Sequence, residues 1–320
     1  MPKQSPLHST HEKLGAKFTE FAGFEMPIYY SSIKDEHLTV RKNVGIFDVS
    51  HMSNVWITGE GAQDLISLTT VEDASRIPDK KSQYTAILRE DGTVIDDTIF
   101  MHLGDKYMII PNAGMDEIVT DWLNKVAEEH NICANVENVS RKYVIIAVQG
   151  PKSRDTLQKL TDVDLKQIGF FGCQYINLAG VDMIISHTGY TGELGYELQI
   201  NPAKDAEAVF EKILKAGEEF GIKPIGLGAR DTLRLEKCFI LAGNEFEGGR
   251  TPLEAIMSWA VNWDHDFIGK DALLKQKKKA IISVLHVLCL KKEEFLVMEW
   301  KLRRMGMSWV RLLRVQCLPV

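Results

Sequence analysis

Four places in the chain carry side chains whose type and setting could do chemistry. Glu197 lies in SHTGYTGELGYEL (186–198), where Gly189, Gly192 and Gly195 fall at every third position. Glycine tolerates backbone angles closed to other residues, so this stretch is expected to turn tightly and to let another group approach its main chain. The apolar run VDMII (181–185) leads in as a strand and 196–200 leads out as another. Alternation then puts Tyr196 and Leu198 on one face and Glu197 on the other. A carboxylate on the inner face of a sheet is costly unless paired. Glu197 therefore either faces solvent or is held for a ligand carrying several N–H donors, and spacing alone leaves both open. Asp96 and Asp97 sit side by side in a strand, so alternation sends them to opposite faces. They are expected not to form a dyad: one is solvated or structural and the other turns inward. Arg230 and Arg234 are four residues apart on one helix face and, by spacing, read as surface or salt-bridged cations. His51, at a strand end, reads as a hydrogen-bonded structural residue, with a general base as the alternative.

These side chains need elements to hold them. The segment 32–42 reads as a helix, with Ser32 as cap and Asp35 and Glu36 in the first turn, where the helix dipole favours negative charge. VWITGEGA and YTAILREDGTVIDDTIFMHL read as strands, the second broken at Glu90-Asp91-Gly92. YMIIPNAG (107–114) is a further strand ending in a turn. A helix follows, with Ile118, Val119, Trp122, Leu123 and Val126 as its apolar stripe. YVIIAVQGPKS (143–153) reads as a buried strand turning into a helix that Pro151 starts. The segment 201–220 is the clearest amphipathic helix, capped by Asn201, started by Pro202 and stopped by Gly221. GLGARDTLRLEK (226–237) lacks the third glycine and the distant acid of a dinucleotide fingerprint.

Bulk properties narrow the class. The 320 residues suffice for two or three domains with cores of their own, and the composition, 45% hydrophobic and 26% charged, is that of a globular protein. A net charge of −6 argues against a nucleic-acid binder and against an anionic membrane surface as partner. MPKQSPLHSTHEKL has no apolar core of a secretory signal, and no apolar run is long enough to span a bilayer. Cys133, Cys173, Cys238, Cys289 and Cys317 are odd in number and never paired as C-x-x-C, which fits reduced thiols in a cytoplasm. No His/Cys cluster has metal-ligand spacing, so no metal is expected.

Several stretches resemble one family. TGYTGE followed by G-x-E, D-V-S-H-M at 48–52, G-x-x-x-D-D ending at Asp97, A-V-Q-G-P-K and G-L-G-A-R-D-x-x-R-x-E are similar to the aminomethyltransferases, the T-protein of the glycine cleavage system. The resemblance runs over about 5–276. It implies transfer of a one-carbon unit from an aminomethyl group, carried on the lipoyl arm of the H-protein, to tetrahydrofolate. Ammonia leaves and 5,10-methylenetetrahydrofolate forms. The implied fold is α+β and multi-domain, with antiparallel and mixed sheets and flanking helices around a central folate pocket. Residues 1–265 would form the folate-binding region, as two interleaved subdomains, and 266–320 what remains of a C-terminal β-barrel. Carried over residue by residue, Asp97 is the catalytic carboxylate, Met52 lines the folate pocket and Asn112 lies near the folate. Arg230 is expected to reach the folate's glutamate carboxylate. Glu197 suits a bidentate grip on the pterin N–H groups, and Tyr84 and Tyr190 suit walls for a flat ring. A-V-Q-G-P-K is given a structural role. The alternatives are a related folate-dependent demethylase taking a small amine or sulfur substrate, and a folate binder left inactive by its altered C-terminus.

The chain departs from the family in three places. His187 stands where an Arg is usual, Phe100 where a Tyr is common, and the terminal barrel motifs G-I-P-R-H-G and T-S-G-T-x-S-P are missing. From about Lys277 ten Lys/Arg face three Asp/Glu, with one Gly and one Pro. Writing 293–299 and 312–320 in suitable synonymous codons and shifting both by two bases restores G-I-P-R-H-G and T-S-G-T-M-S-P. A change of reading frame within Lys277-Lys278-Lys279 is therefore expected, in an A-rich run of codons. Sequencing the coding DNA tests it: codons that do not yield those motifs in the shifted frame defeat the idea.

Overall fold

The computed structural model describes residues 2–245 and 249–279. The expectations placed on the tail, a changed frame and a lost barrel, fall from residue 280 onward outside the described residues. What is described is a mixed α+β fold of three sheets with helices packed against them.

The six-stranded sheet runs in the order Cys173–Leu178, Val181–Ser186, Gly195–Ile200, Val144–Gln149, Gly45–Asp48, Lys223–Pro224. All neighbours are antiparallel except the last pair. Val144–Gln149 lies near its middle and is buried at every position. Its continuous β-branched run makes sense there. Val144, Ile146 and Val148 join one core, with Tyr196, Leu198, Val209, Phe210 and Ile213, while Ile145 and Ala147 join a second, with Val40, Phe47 and Leu233. Each fully buried large aliphatic side chain stabilises the fold by about 2 kcal/mol. The five-stranded sheet is wholly antiparallel, in the order Lys81–Leu88, Val94–Leu103, Lys106–Ile110, Val55–Thr58, Asn135–Asn138. Asp116–Glu129 and Ala62–Thr69 cover it through Val119, Leu123, Leu65 and Ile66. The smallest sheet, from Lys3–Gln4, Phe24–Tyr29 and Lys17–Phe21, lies towards the N-terminus.

Several local expectations need correction. Ile118 is exposed, so the stripe of Asp116–Glu129 is narrower than its spacing implied. The helix expected over 201–220 spans only Ala206–Gly217, after a cis Asn201–Pro202 bond and a short 3-10 turn; it gives way to a second 3-10 turn, Glu218–Phe220, and it is this turn that Gly221 ends in the left-handed region. Pro151 sits in the turn before Ser153–Gln158, not in the helix.

Ser32 caps Ile33–Lys42 as expected, accepting from the Asp35 N–H. Glu36 does something the dipole reading missed. It is fully buried, one oxygen accepting from the Tyr30 and Ser31 N–H groups at 2.6 and 2.9 Å and the other from the Gly226 N–H at 2.8 Å. Gly226 precedes Leu227–Glu236, so this carboxylate ties the N-terminal sheet to the start of the Arg230 helix. Glu36→Ala strands three buried donors and is expected to cost about 3 kcal/mol or more, read as a lower urea midpoint.

Candidate functional site

A single cavity of about 1930 Å³ opens between the two large sheets and Leu227–Glu236. Met52, Tyr84, Asp97, Asn112, Tyr190, Glu197 and Arg230 all line it. Sequence positions nearly 180 apart thus meet on one wall system, and the sheets explain how.

Glu197 enters from the strand Gly195–Ile200, in register with Ser186 on one side and Ala147 on the other. Tyr196 and Leu198 point into the core and Glu197 and Gln199 to the cavity, as alternation requires. The solvent-facing alternative for Glu197 gives way to the cavity. One of its oxygens accepts from the Thr188 hydroxyl, itself bonded to Ser186 at 2.7 Å. The glycine-rich loop before it is shaped by Gln149. A Cβ at Gly189 or Gly195 would stand 2.0 or 2.3 Å from the Gln149 carboxamide, and Gly192 has φ +71°. The group that approaches this main chain is therefore Gln149, whose amide donates to the Thr188 carbonyl at 3.1 Å and accepts from the Thr191 hydroxyl at 2.9 Å.

Asp97 enters from Val94–Leu103, opposite Ala86. Tyr84 donates its hydroxyl to one carboxyl oxygen at 2.9 Å and the Asn112 amide donates to the other at 2.8 Å. Burial pushes the Asp97 carboxyl up to about 6, against the lowering effect of these two donors. Asp96 faces the other way but is not solvated. It is fully buried and accepts from Asn112 through both the backbone N–H, at 2.9 Å, and the side-chain amide, at 2.8 Å. Burial first, then the Asp97 charge, hold its carboxyl well above the usual range. Alternation separates the two acids as expected, and Asn112, which the spacing could not place, joins them again.

Arg230 lies with its guanidinium 4.8 Å from the Tyr190 ring, near enough to Glu197 to feel its charge. Burial lowers its pKa. Arg234, four residues on, is instead locked away: buried, bonded to Glu245 and the Phe239 carbonyl at 3.0 Å each and to Asp231 at 2.9 Å. Both arginines line the cavity, but the guanidinium of Arg234 is committed to protein acceptors while that of Arg230 stacks on Tyr190. Tyr190 donates its hydroxyl to the Ile240 carbonyl and stacks on Phe239. Met52 packs beside Val49 and Phe47.

His51 corrects its own expectation. It is buried at the cavity wall, and among the described residues its Nδ1 has no hydrogen-bond partner. Burial, then the Arg230 charge, push it down to about 3, so it stays neutral and is a poor base near neutral pH. Phe100, the departure after the acid pair, lies in the core against Tyr107, away from the cavity. His187 does line the cavity, stacked on Tyr196 and bonded to the Ile168 carbonyl. Trp259 was missed. It stacks on Tyr84 at 5.4 Å and is 70% exposed at the rim. Its only signal is an aromatic outside any periodic stripe, in MSWAV. Among the described residues no group of three or more His, Cys, Asp or Glu side chains could hold a metal ion.

Fold and cavity together define an α+β protein whose large cavity is walled by two acids, Asp97 and Glu197, and a cation, Arg230. The family model described as the GCVT N-terminal domain matches residues 7–265. An aminomethyltransferase of Thermotoga neapolitana is 40% identical over 87% of this chain and 76% of its own length, and one of Flavobacterium psychrophilum is 41% identical over 88% and 78%. The crystal structure of the glycine cleavage system aminomethyltransferase T from Bartonella henselae superposes with a TM-score of 0.80 at 33% identity, covering 87% of this chain and 76% of that one. The chain belongs to the aminomethyltransferase family of the glycine cleavage system.

The raised Asp97 carboxyl has a sign that can be checked. An acid whose pKa is higher folded than unfolded burdens the fold once it ionises, by up to about 3 kcal/mol here, and the burden grows as pH climbs from about 4 through about 6. Asp97→Asn is therefore expected to gain thermal stability relative to the parent at pH 8 compared with pH 4.5. An identical difference at both values would contradict a buried titrating acid.

Proposed function

We propose that this aminomethyltransferase takes the methylene of an aminomethyl group from the lipoyl arm of a lipoylated H-protein and transfers it to tetrahydrofolate. The observation that carries this reading is that Glu197 and Asp97, from different sheets, open into one cavity. The reading takes residues 1–265 as the folate-binding region and goes with a cytoplasmic setting. Among the described residues no helix is long and apolar enough to cross a membrane.

Tetrahydrofolate supplies the two nitrogens that end up bonded to the methylene. Two C–N bonds form while the methylene loses its bonds to sulfur and to the amine nitrogen. Of the two protons released by the folate nitrogens, one ends on the lipoyl sulfur and one on ammonia. The protein's part is to hold, orient and exclude water. Glu197 has its second oxygen and the cavity in front of it, and a planar edge of N–H and amino donors fits a charge-assisted pair there. Tyr190, Tyr84 and Met52 supply flat and apolar contact. The Arg230 guanidinium meets an anion, as the glutamate end of a folate provides. Asp97, ionised above about pH 6, faces positive charge developing on the departing amine or moves a proton there. Bringing carbon and nitrogen together supplies most of the acceleration. The relatives carry the aminomethyltransferase name, which favours H-protein over a free small amine as donor.

Tetrahydrofolate is expected to raise the thermal midpoint, with a rise that grows as the logarithm of its concentration once that exceeds the dissociation constant. Ammonia release should require aminomethylated H-protein; release from free methylamines instead would favour the demethylase, and no protection by tetrahydrofolate would defeat both. Glu197→Gln loses a charge-assisted pair and should weaken tetrahydrofolate binding by about 30-fold, measured by calorimetry.

A further inference from the structure

Asn112 is the meeting point of the two acids, and its bonding is unusually complete on one side. Its amide nitrogen carries two hydrogens and reaches three acceptors: Asp96 Oδ1 at 2.8 Å, Asp97 Oδ1 at 2.8 Å and the Asp97 carbonyl at 2.7 Å. Its backbone N–H goes to the second oxygen of Asp96 at 2.9 Å. Turning the carboxamide over would set its oxygen against the Asp97 carboxylate and the Asp97 carbonyl, which have no hydrogen to give, so the orientation is favoured by chemistry and not only by convention. The amide oxygen, on the far side of the group from these acceptors, accepts from no described residue, and Asn112 lines the cavity.

We propose that Asp96 is a positioning residue for this site: by capturing one Asn112 N–H, with Asp97 capturing the other, it turns the Asn112 oxygen into the cavity as an acceptor for a ligand N–H and keeps a fixed donor on Asp97. The inference rests on the reading of the cavity as the site of transfer, and it assigns to Asp96 a role that touches neither substrate nor reacting atoms.

The surroundings support a division of labour between the acids. Asp97 is faced by the Tyr84 hydroxyl from the neighbouring strand, by Asn112 from the turn after Lys106–Ile110, by the Asp96 carboxyl, and at longer range by Glu245 and Tyr190. Asp96 is faced by Asn112 and the Asp97 charge. Desolvation disfavours two anions beside each other, and Asp96, the more deeply buried, is the one that keeps its proton. Asp97 is then free to ionise next to two donors. A neutral Asp96 still accepts from Asn112, so its orienting role survives protonation.

The test does not need substrate. With aspartate carboxyls labelled with carbon-13 in the full chain, the Asp97 titration is followed in the parent, Asp96→Asn, Asn112→Ala and the double variant. The replacement amide at position 96 lets the Asn112 group turn over, so Asp97 loses its fixed donor. Its midpoint should rise by about half a pH unit or more, a threefold gain in proton affinity. Asn112→Ala should raise it as much, and the double variant no further, since both changes break one chain of contacts. A midpoint that stays or falls in Asp96→Asn, or additive shifts in the double variant, overturns the proposal. Should Asp96→Asn fail to fold, an unmoved midpoint in Asn112→Ala does the same. Tetrahydrofolate affinity in the same proteins should fall about tenfold in each single variant and no further in the double. Absence of tetrahydrofolate binding by the parent would remove the functional reading alone, because the titration would still decide the orientation of Asn112.

Discussion

Everything at the site depends on one carboxamide filling a space that only glycine leaves open. Gln149 ends the central strand of the large sheet and inserts its side chain where any Cβ at Gly189 or Gly195 would collide with it. It bonds to the Thr188 and Tyr196 carbonyls and takes the Thr191 hydroxyl. The loop is thus fastened to the sheet interior at several points, and Thr188, Tyr190 and Glu197 inherit their positions from it. A buried amide is costly unless its bonds are made, and here they are, so the fastening is also specific. The triplet spacing of glycines marks where Gln149 touches rather than a phosphate cradle.

The second constraint is electrostatic. One wall of the cavity holds Asp97 with Asp96 fully buried behind it, and another holds an arginine stacked on Tyr190 and close to a further acid. Such an arrangement displaces the groups from their ordinary protonation, chiefly through burial: Asp97 is pushed up, and Arg230 and His51 are pushed down. Groups displaced in this way, gathered in one cavity, mark it as a candidate functional site. Stability is given up locally, and the many buried aliphatic residues of the two sheet cores offset it.

Much of the fold was legible because its strands are long, β-branched and bounded by glycine. Val144–Gln149, Val181–Ser186 and Gly195–Ile200 fall close to where their apolar runs place them. Period-two alternation separated Glu197 from Tyr196 and Leu198, and Asp96 from Asp97. What could not be read were partners distant in the chain. Nothing local tells that Glu36 would leave its helix dipole to serve Gly226, or that Asn112 would bridge two acids that alternation had set apart. Trp259 was invisible for the same reason, since its stacking partner Tyr84 lies far away in sequence. The seven expected site residues, all of which line the cavity, were singled out mainly by family resemblance, while spacing alone left surface arginines and a solvent-facing glutamate open.

The stacking of Trp259 on Tyr84 gives the protein a built-in optical reporter. The indole stands mostly in water at the rim, and the ring beneath it is bonded through its hydroxyl to Asp97. A flat guest sliding in beside Tyr84 would dehydrate the indole and change its emission colour and lifetime.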